Sequence, residues 1–322
     1  MNTSKKIVCL GGGIGTVNLI TGLKTLTDSL TVVASMADEG GSSGRLRRMY
    51  NILPPGDLVS CMSALIPNTD QNSKKLLMYR FPGDRYGKDE DLGGHKLGNL
   101  MMVAMRDLTG NFNDAVEMFR EMFHITGTIL PATEESVSIS AETIEGKIIH
   151  GEETIDLGRY QGKRILEKVF LHPENPHVSE KVLTSLSEAN TIIAGPGDLY
   201  TTLLPVMITP LITEAFKKSS AQKVFIVNVA NKPFETKDYS VSHYIHAVIK
   251  HLGEFPFDTV VVNNNYEIEI PKKYKYTYVH VDTAEIEKLG CTAKIVEADL
   301  VDDHFPLYHN SEKLARTIEQ IV

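Results

Sequence analysis

The chain has 322 residues, 42% of them hydrophobic and 23% charged, with a formal net charge of −8. That length holds one large α/β domain or two ordinary ones around a sizeable core, and the acidic balance argues against nucleic acid as a partner. Three scattered cysteines, Cys9, Cys61 and Cys291, form neither a disulfide framework nor a metal-type spacing, which points to a reducing compartment.

In chain order, "MNTSKK" runs into the strand-like "KIVCL" (6–10) without the apolar core of a signal peptide. No run of roughly 18 apolar residues is present to span a bilayer, so membrane insertion is not expected and the cytoplasm is the expected location. The glycine loop "GGGIGTVNLITGLK" (11–24) follows, with a helix predicted near 17–27 and a strand at "LTVVAS" (30–35). "NTIIAG" (190–195), "KVFIVNV" (223–229) and "DTVVVNN" (258–264) continue the alternation with helical patterns between them. Short apolar strands of this kind predict a single Rossmann-like α/β domain over 1–322, with a mostly parallel sheet covered by helices on both faces. Ligands then collect at the carboxyl ends of the strands. Residues 125–172 break the rhythm and predict a small β-rich insertion packed on the rim of the sheet. The charged, glycine-rich stretch 81–96 reads as a surface loop. "PKKYKYTYVHV" (271–281) alternates aromatic and polar residues, which predicts a half-buried strand rather than a base-stacking surface.

The segments after the strands carry the chemistry. The dinucleotide fingerprint G-x-G-x-x-G fails because Thr16 stands where its third glycine belongs, and no lysine completes a Walker loop. Gly12, Gly13 and Gly15 nonetheless let backbone N–H groups approach an anion at a helix start, so phosphate binding is expected there. In "ADEGGSSGRLRRMYN" (37–51), Ser42, Ser43 and Arg45 suit phosphate oxygens. Asp38 fits a ribose, a divalent cation or a plain turn cap. Asp57 in "PPGDLVSCMSAL" (54–65) fits a helix N-cap, a metal ligand or a substrate contact. His95 and Asn99 stand one turn apart in "LGGHKLGNLMMVAM" (92–105). "AGPGDLYTTLLPVM" (194–207) crowds Gly195, Gly197, Asp198 and Tyr200 at a helix start, and "VNVANKPFETKDY" (227–239) adds Asn228, Asn231, Glu235, Thr236 and Tyr239. His243 and His246 lack the glutamate of H-E-x-x-H, and no G-x-S-x-G elbow occurs.

Taken in order, "GGGIG", "ADEGGSSGRLR", "PPGDL", "GGHKLGNL", "LPATEE", "GPGDLYTTLLP", "FETKDYSVSHYIHAV" and "DLVDDHFPLYHNSEKLA" resemble the YvcK family, the gluconeogenesis factors, distant relatives of the CofD 2-phospho-lactate transferase. The resemblance implies a Rossmann-like fold and binding of a UDP-sugar, UDP-N-acetylglucosamine. It further implies a regulatory role in cell shape and envelope synthesis during gluconeogenic growth. It places Gly12, Gly13, Gly15, Ser42, Ser43 and Arg45 at the phosphates, and Gly195, Gly197, Asp198 and Tyr200 on the opposite wall. Asp38 and Asp57 match acidic positions around the transferase's reaction centre, where magnesium would bind. Ile14, Asp198 and the Asn231-Lys232 pair depart from the family's usual residues. Two activities stay open, a nucleotide-sugar-binding regulator acting on a protein partner and a CofD-like transferase of a phosphoryl-containing group. The partner's identity and a homo-oligomeric state stay open as well.

Overall fold

The computed structural model describes residues 5–322. Twelve strands form in chain order: β1 (Ile7–Gly11), β2 (Leu30–Ala34), β3 (Thr128–Pro131), β4 (Ser138–Thr143), β5 (Ile148–His150), β6 (Leu166–His172), β7 (Thr191–Ala194), β8 (Gln222–Ile226), β9 (Ala230–Asn231), β10 (Thr259–Asn263), β11 (Thr277–Tyr278) and β12 (Lys294–Ala298). Seven of them make one parallel sheet in the order β12-β10-β8-β7-β1-β2-β3. β1, β7 and β10 are buried at every position, as continuous apolar runs in the middle of a parallel sheet should be, whereas β12 at the edge is partly exposed.

The strand order reverses between β1 and β7. From β1 the chain winds outward through β2 to β3, and from β7 it winds the other way through β8 and β10 to β12. Right-handed crossovers then place the two sets of helices on opposite faces. On one face α1 (Gly13–Leu23) packs against α3 (Gly56–Ala64) and the final helix Ser311–Glu319. On the other, helix Glu180–Glu188 packs against Pro210–Lys218. This is the expected Rossmann-like architecture.

Three expectations shift. α1 starts at Gly13 and ends at Leu23, four residues earlier than predicted at each end, because the loop glycines themselves form the first helical turn. The β-rich insertion starts later: Thr128–Pro131 joins the main sheet as its edge, and only β5-β4-β6, an antiparallel sheet spanning 138–172, forms the excursion. A short helix, Glu152–Asp156, lies inside that excursion. The alternating stretch 271–281 is no long strand. Lys272–Tyr274 is a 3-10 turn, Lys275 adopts φ +60°, and only Thr277–Tyr278 pairs, with Ala230–Asn231. A left-handed residue in mid-segment breaks the pleat that alternation alone suggests.

At the reversal point the loops after β1 and β7 almost touch. A Cβ on Gly15 would lie 2.5 Å from the carbonyl oxygen of Pro196 and 3.0 Å from the nitrogen of Gly197. Gly15→Ala must therefore push two backbone segments apart. It should lower stability by about 1–3 kcal/mol, read as a lower urea midpoint; an unchanged midpoint would contradict this contact.

Candidate ligand site at the reversal of strand order

The crevice between β1 and β7 is built from backbone first. Gly12 precedes α1 and its N–H donates to Thr16 Oγ1 at 2.8 Å. No side chain caps the helix, so the N–H groups of its first turn are the usual orphans of a helix start, with the positive end of the helix dipole behind them. Ile14 at this turn is 55% exposed, so the helix start is open to solvent. Across the crevice, Asn228 accepts from the Gly197 N–H at 3.0 Å and donates to the Gly197 carbonyl at 2.9 Å. Asn228 thus sets the shape of the Gly195–Asp198 loop rather than reaching for a ligand.

Two carboxylates stand beside the glycines. Asp57 lies in the first turn of α3, whose N-cap is Pro55, so it is not a cap. It leans on Gly12 so closely that a Cβ there would overlap its Oδ2. Burial, and then the charge of Asp38, push its pKa up to about 7. Asp38 accepts from the Gly40 N–H at 2.9 Å, and burial raises its pKa despite that bond. Lys96 donates to Ser60 Oγ at 2.8 Å; burial and Arg80 bring its pKa down to about 8, against the pull of Asp57. Arg85 lies against Gly41 and has no hydrogen-bond or ion-pair partner among the described residues. Buried carboxylate oxygens near a phosphate cradle suit a hard divalent cation, and Asp38 and Asp57 are the residues that would hold one.

The second expected phosphate loop is partly covered by the protein's own carboxylates. Three N–H groups at and just before the start of α2 (Gly41–Tyr50) donate to carboxylates of the same protein: Glu39 to Glu152 at 3.3 Å, Gly40 to Asp38, and Gly41 to Glu153 at 3.3 Å. Glu152 and Glu153 come from the short helix of the β excursion, which docks its acidic end onto α2. Ser42 and Ser43 are buried, with Ser42 Oγ accepting from Arg80 at 3.4 Å. Arg45 does not reach the crevice either. It is 1% exposed and donates to the backbone carbonyls of Asp84, Asp89, Asp91 and Gly93. Its planar fork clasps the 81–96 loop, while Arg48 pairs with Asp89 at 2.7 Å.

Other expected ligand residues are interior. Tyr200 is 2% exposed and its hydroxyl bonds the Leu166 carbonyl at 3.2 Å and Tyr239 at 3.0 Å, so both tyrosines tie the excursion to the sheet. His95 and Asn99 are buried, and His95 Nδ1 and Asn99 Oδ1 have no partner. Asp198 does line the crevice, where it meets Lys232. Sequence reasoning missed Lys96, Arg85, Glu152 and Asp156: the first two sit in a glycine-rich stretch read as a surface loop, and the other two in the β excursion, away from the carboxyl ends of the main strands. A separate cavity of 580 Å³ opens at the amino ends of the strands, lined by Lys6, Leu30, Thr128 and Glu188. It lies at the end of the sheet opposite to the converging loops.

This geometry has relatives. The CofD family, described as 2-phospho-L-lactate transferase CofD, matches residues 7–301. The chain belongs to that family. It is also 36% identical to the gluconeogenesis factor of Bacillus subtilis, over 96% of this chain and 94% of that one. The gluconeogenesis factor of Listeria innocua is 35% identical over 97% of this chain and 94% of its own length. A crystal structure of a UPF0052-family protein from Bacillus halodurans shares the fold with a TM-score of 0.89 at 32% identity, covering 99% of this chain and all of that one. The chain is thus a member of the gluconeogenesis-factor branch of the CofD relatives. No single helix among the described residues is long and apolar enough to cross a membrane.

Arg45→Ala should destabilise the protein by about 2–4 kcal/mol, because several charge-assisted bonds from a buried guanidinium to loop carbonyls vanish together. Hydrogen exchange at 84–93 should speed up; unchanged exchange would show that the clasp is not needed. Asp57 ionises near 3.8 when unfolded and near 7 in the native protein. The native state therefore keeps the extra proton across that window, and apo stability falls as pH rises through it. Glu235, pushed up to about 8 by burial, acts with the same sign. Asp57→Asn should shrink the slope of melting temperature against pH between about 4 and 7; an identical slope would contradict the assignment.

Proposed function

We propose that this protein binds a nucleotide sugar of the UDP-N-acetylglucosamine type and acts in the cytoplasm as a regulator during gluconeogenic growth, passing ligand occupancy to a protein partner and so to cell shape. One observation carries the binding half of this reading: an uncapped glycine helix start faces a second glycine loop at the point where strand order reverses. That is where open α/β sheets take dinucleotide-like ligands, and the α1 amides supply what a diphosphate needs. Kinship with gluconeogenesis factors supports the biological half. The diphosphate is assigned to α1 rather than α2, because the carboxylates of Asp38, Glu152 and Glu153 already sit on the N–H groups of Glu39, Gly40 and Gly41 and repel a second anion there.

A second reading has its own support. Asp57, with a pKa near 7 and its carboxylate against Gly12, is suited to take a proton from an attacking hydroxyl or to hold magnesium beside a transferring phosphate. That chemistry belongs to a CofD-like transferase.

Calorimetric titration with UDP-N-acetylglucosamine, UDP-glucose, GDP and NAD, with and without magnesium, separates the two. The regulator predicts selective uridine binding and no turnover in wild type. Turnover of a nucleotide conjugate that Asp57→Asn reduces by at least about a hundredfold would establish the transferase instead. NAD binding alone would refute both.

A further inference from the structure

The half of the crevice away from α1 is charged in a different way. Lys232, which follows β9, pairs its ammonium with Asp156 of the excursion helix and with Asp198 Oδ2 at 2.8 Å. Carboxylate oxygens of Asp156, Asp198 and Glu235 lie within 4.8 Å of one another. Glu235 is 1% exposed; one oxygen accepts from the N–H groups of Tyr200 and Thr201, and Oε2 has no partner. Burial works against the charge on Lys232, but Asp198 and Asp156 hold it protonated. Two half-buried tyrosines lie within electrostatic range of the cluster. Tyr276 and Tyr308 are close enough to feel the charges of both Asp198 and Lys232, and neither phenol is hydrogen-bonded among the described residues.

The chemistry of this set narrows what it can take. Two carboxylates, Asp156 and Asp198, around a single ammonium leave no free positive charge for a phosphate at contact distance. A divalent cation is disfavoured as well, because the ammonium already sits on two of the three carboxylates. Neutral hydroxyl groups fit both kinds of partner, since carboxylate oxygens accept and an ammonium donates. The buried Glu235 Oε2 in the same cluster is a polar atom that no described residue satisfies.

We propose that Asp156, Lys232 and Asp198 form the subsite for a neutral, hydroxyl-bearing sugar ring whose diphosphate lies at the start of α1. This inference rests on the nucleotide-sugar reading above and gives the ligand an orientation. The phosphates face the glycine loop, and the sugar faces the ion cluster. The cluster then reads the sugar, while the excursion, through Asp156, becomes part of the binding surface.

The test compares affinities for UDP and UDP-N-acetylglucosamine in wild type and in the paired variant Lys232→Met with Asp198→Asn, which leaves net charge unchanged. Wild type should prefer the sugar conjugate by about tenfold or more, as one or two charge-assisted hydrogen bonds imply. The paired variant should bring that ratio near one. A variant with the ratio intact, even with a lower melting temperature, would show the cluster to be a structural latch and overturn the proposal. Wild type that binds UDP without preferring the conjugate would overturn the subsite and leave the nucleotide reading standing; wild type that binds neither would remove both. Should the paired variant not fold, Asp156→Asn gives the same readout through the carboxylate that the excursion contributes.

Discussion

The close approach of two backbone turns governs this molecule. Gly15 at the start of α1 and Pro196 after β7 come so near that no side chain fits between them. Asn228 holds the second turn with two hydrogen bonds to Gly197. That contact fixes the width of the crevice where the sheet changes direction, and every side chain in the candidate site is placed relative to it. Parallel strands buried on both faces supply the rigidity, because their register leaves the turns little freedom to separate.

Around that frame the protein sorts its charges. No side chain caps α1, whereas Asp38, Glu152 and Glu153 of the same chain sit on the N–H groups of Gly40, Glu39 and Gly41 at the start of α2. Buried acids need compensation, and they receive it from helix N–H groups, Lys96 and Lys232. The result is a crevice with one end suited to an anion and the other to hydroxyl groups. The β excursion takes part in both halves, through Glu152 and Glu153 at α2 and Asp156 at Lys232.

Much of the fold was legible because local signals agreed with one another. The apolar runs at β1, β2, β7, β8 and β10 sit where continuous hydrophobic strands were expected, and the glycine loops fall at their carboxyl ends. The site was legible in its backbone and less so in its side chains. Arg45 looked like a phosphate ligand because arginine forks suit phosphate, yet the same fork suits a ring of backbone carbonyls, and only the path of the 81–96 loop decides between them. Tyr200 and Tyr239 could not be told from ligand-facing tyrosines without knowing that Leu166 of the excursion lies over them. Lys232 stood out only as an unusual residue, and its partner Asp156 is 76 residues away in sequence. Long-range pairs of this kind leave no local trace.

The most direct test of the central claim is a crystal structure of the protein with UDP-N-acetylglucosamine. The account predicts the diphosphate oxygens within hydrogen-bond distance of the N–H groups of Gly13 to Gly15, with Glu152 and Glu153 still seated on α2. A diphosphate found at the start of α2, with those glutamates displaced, would contradict it.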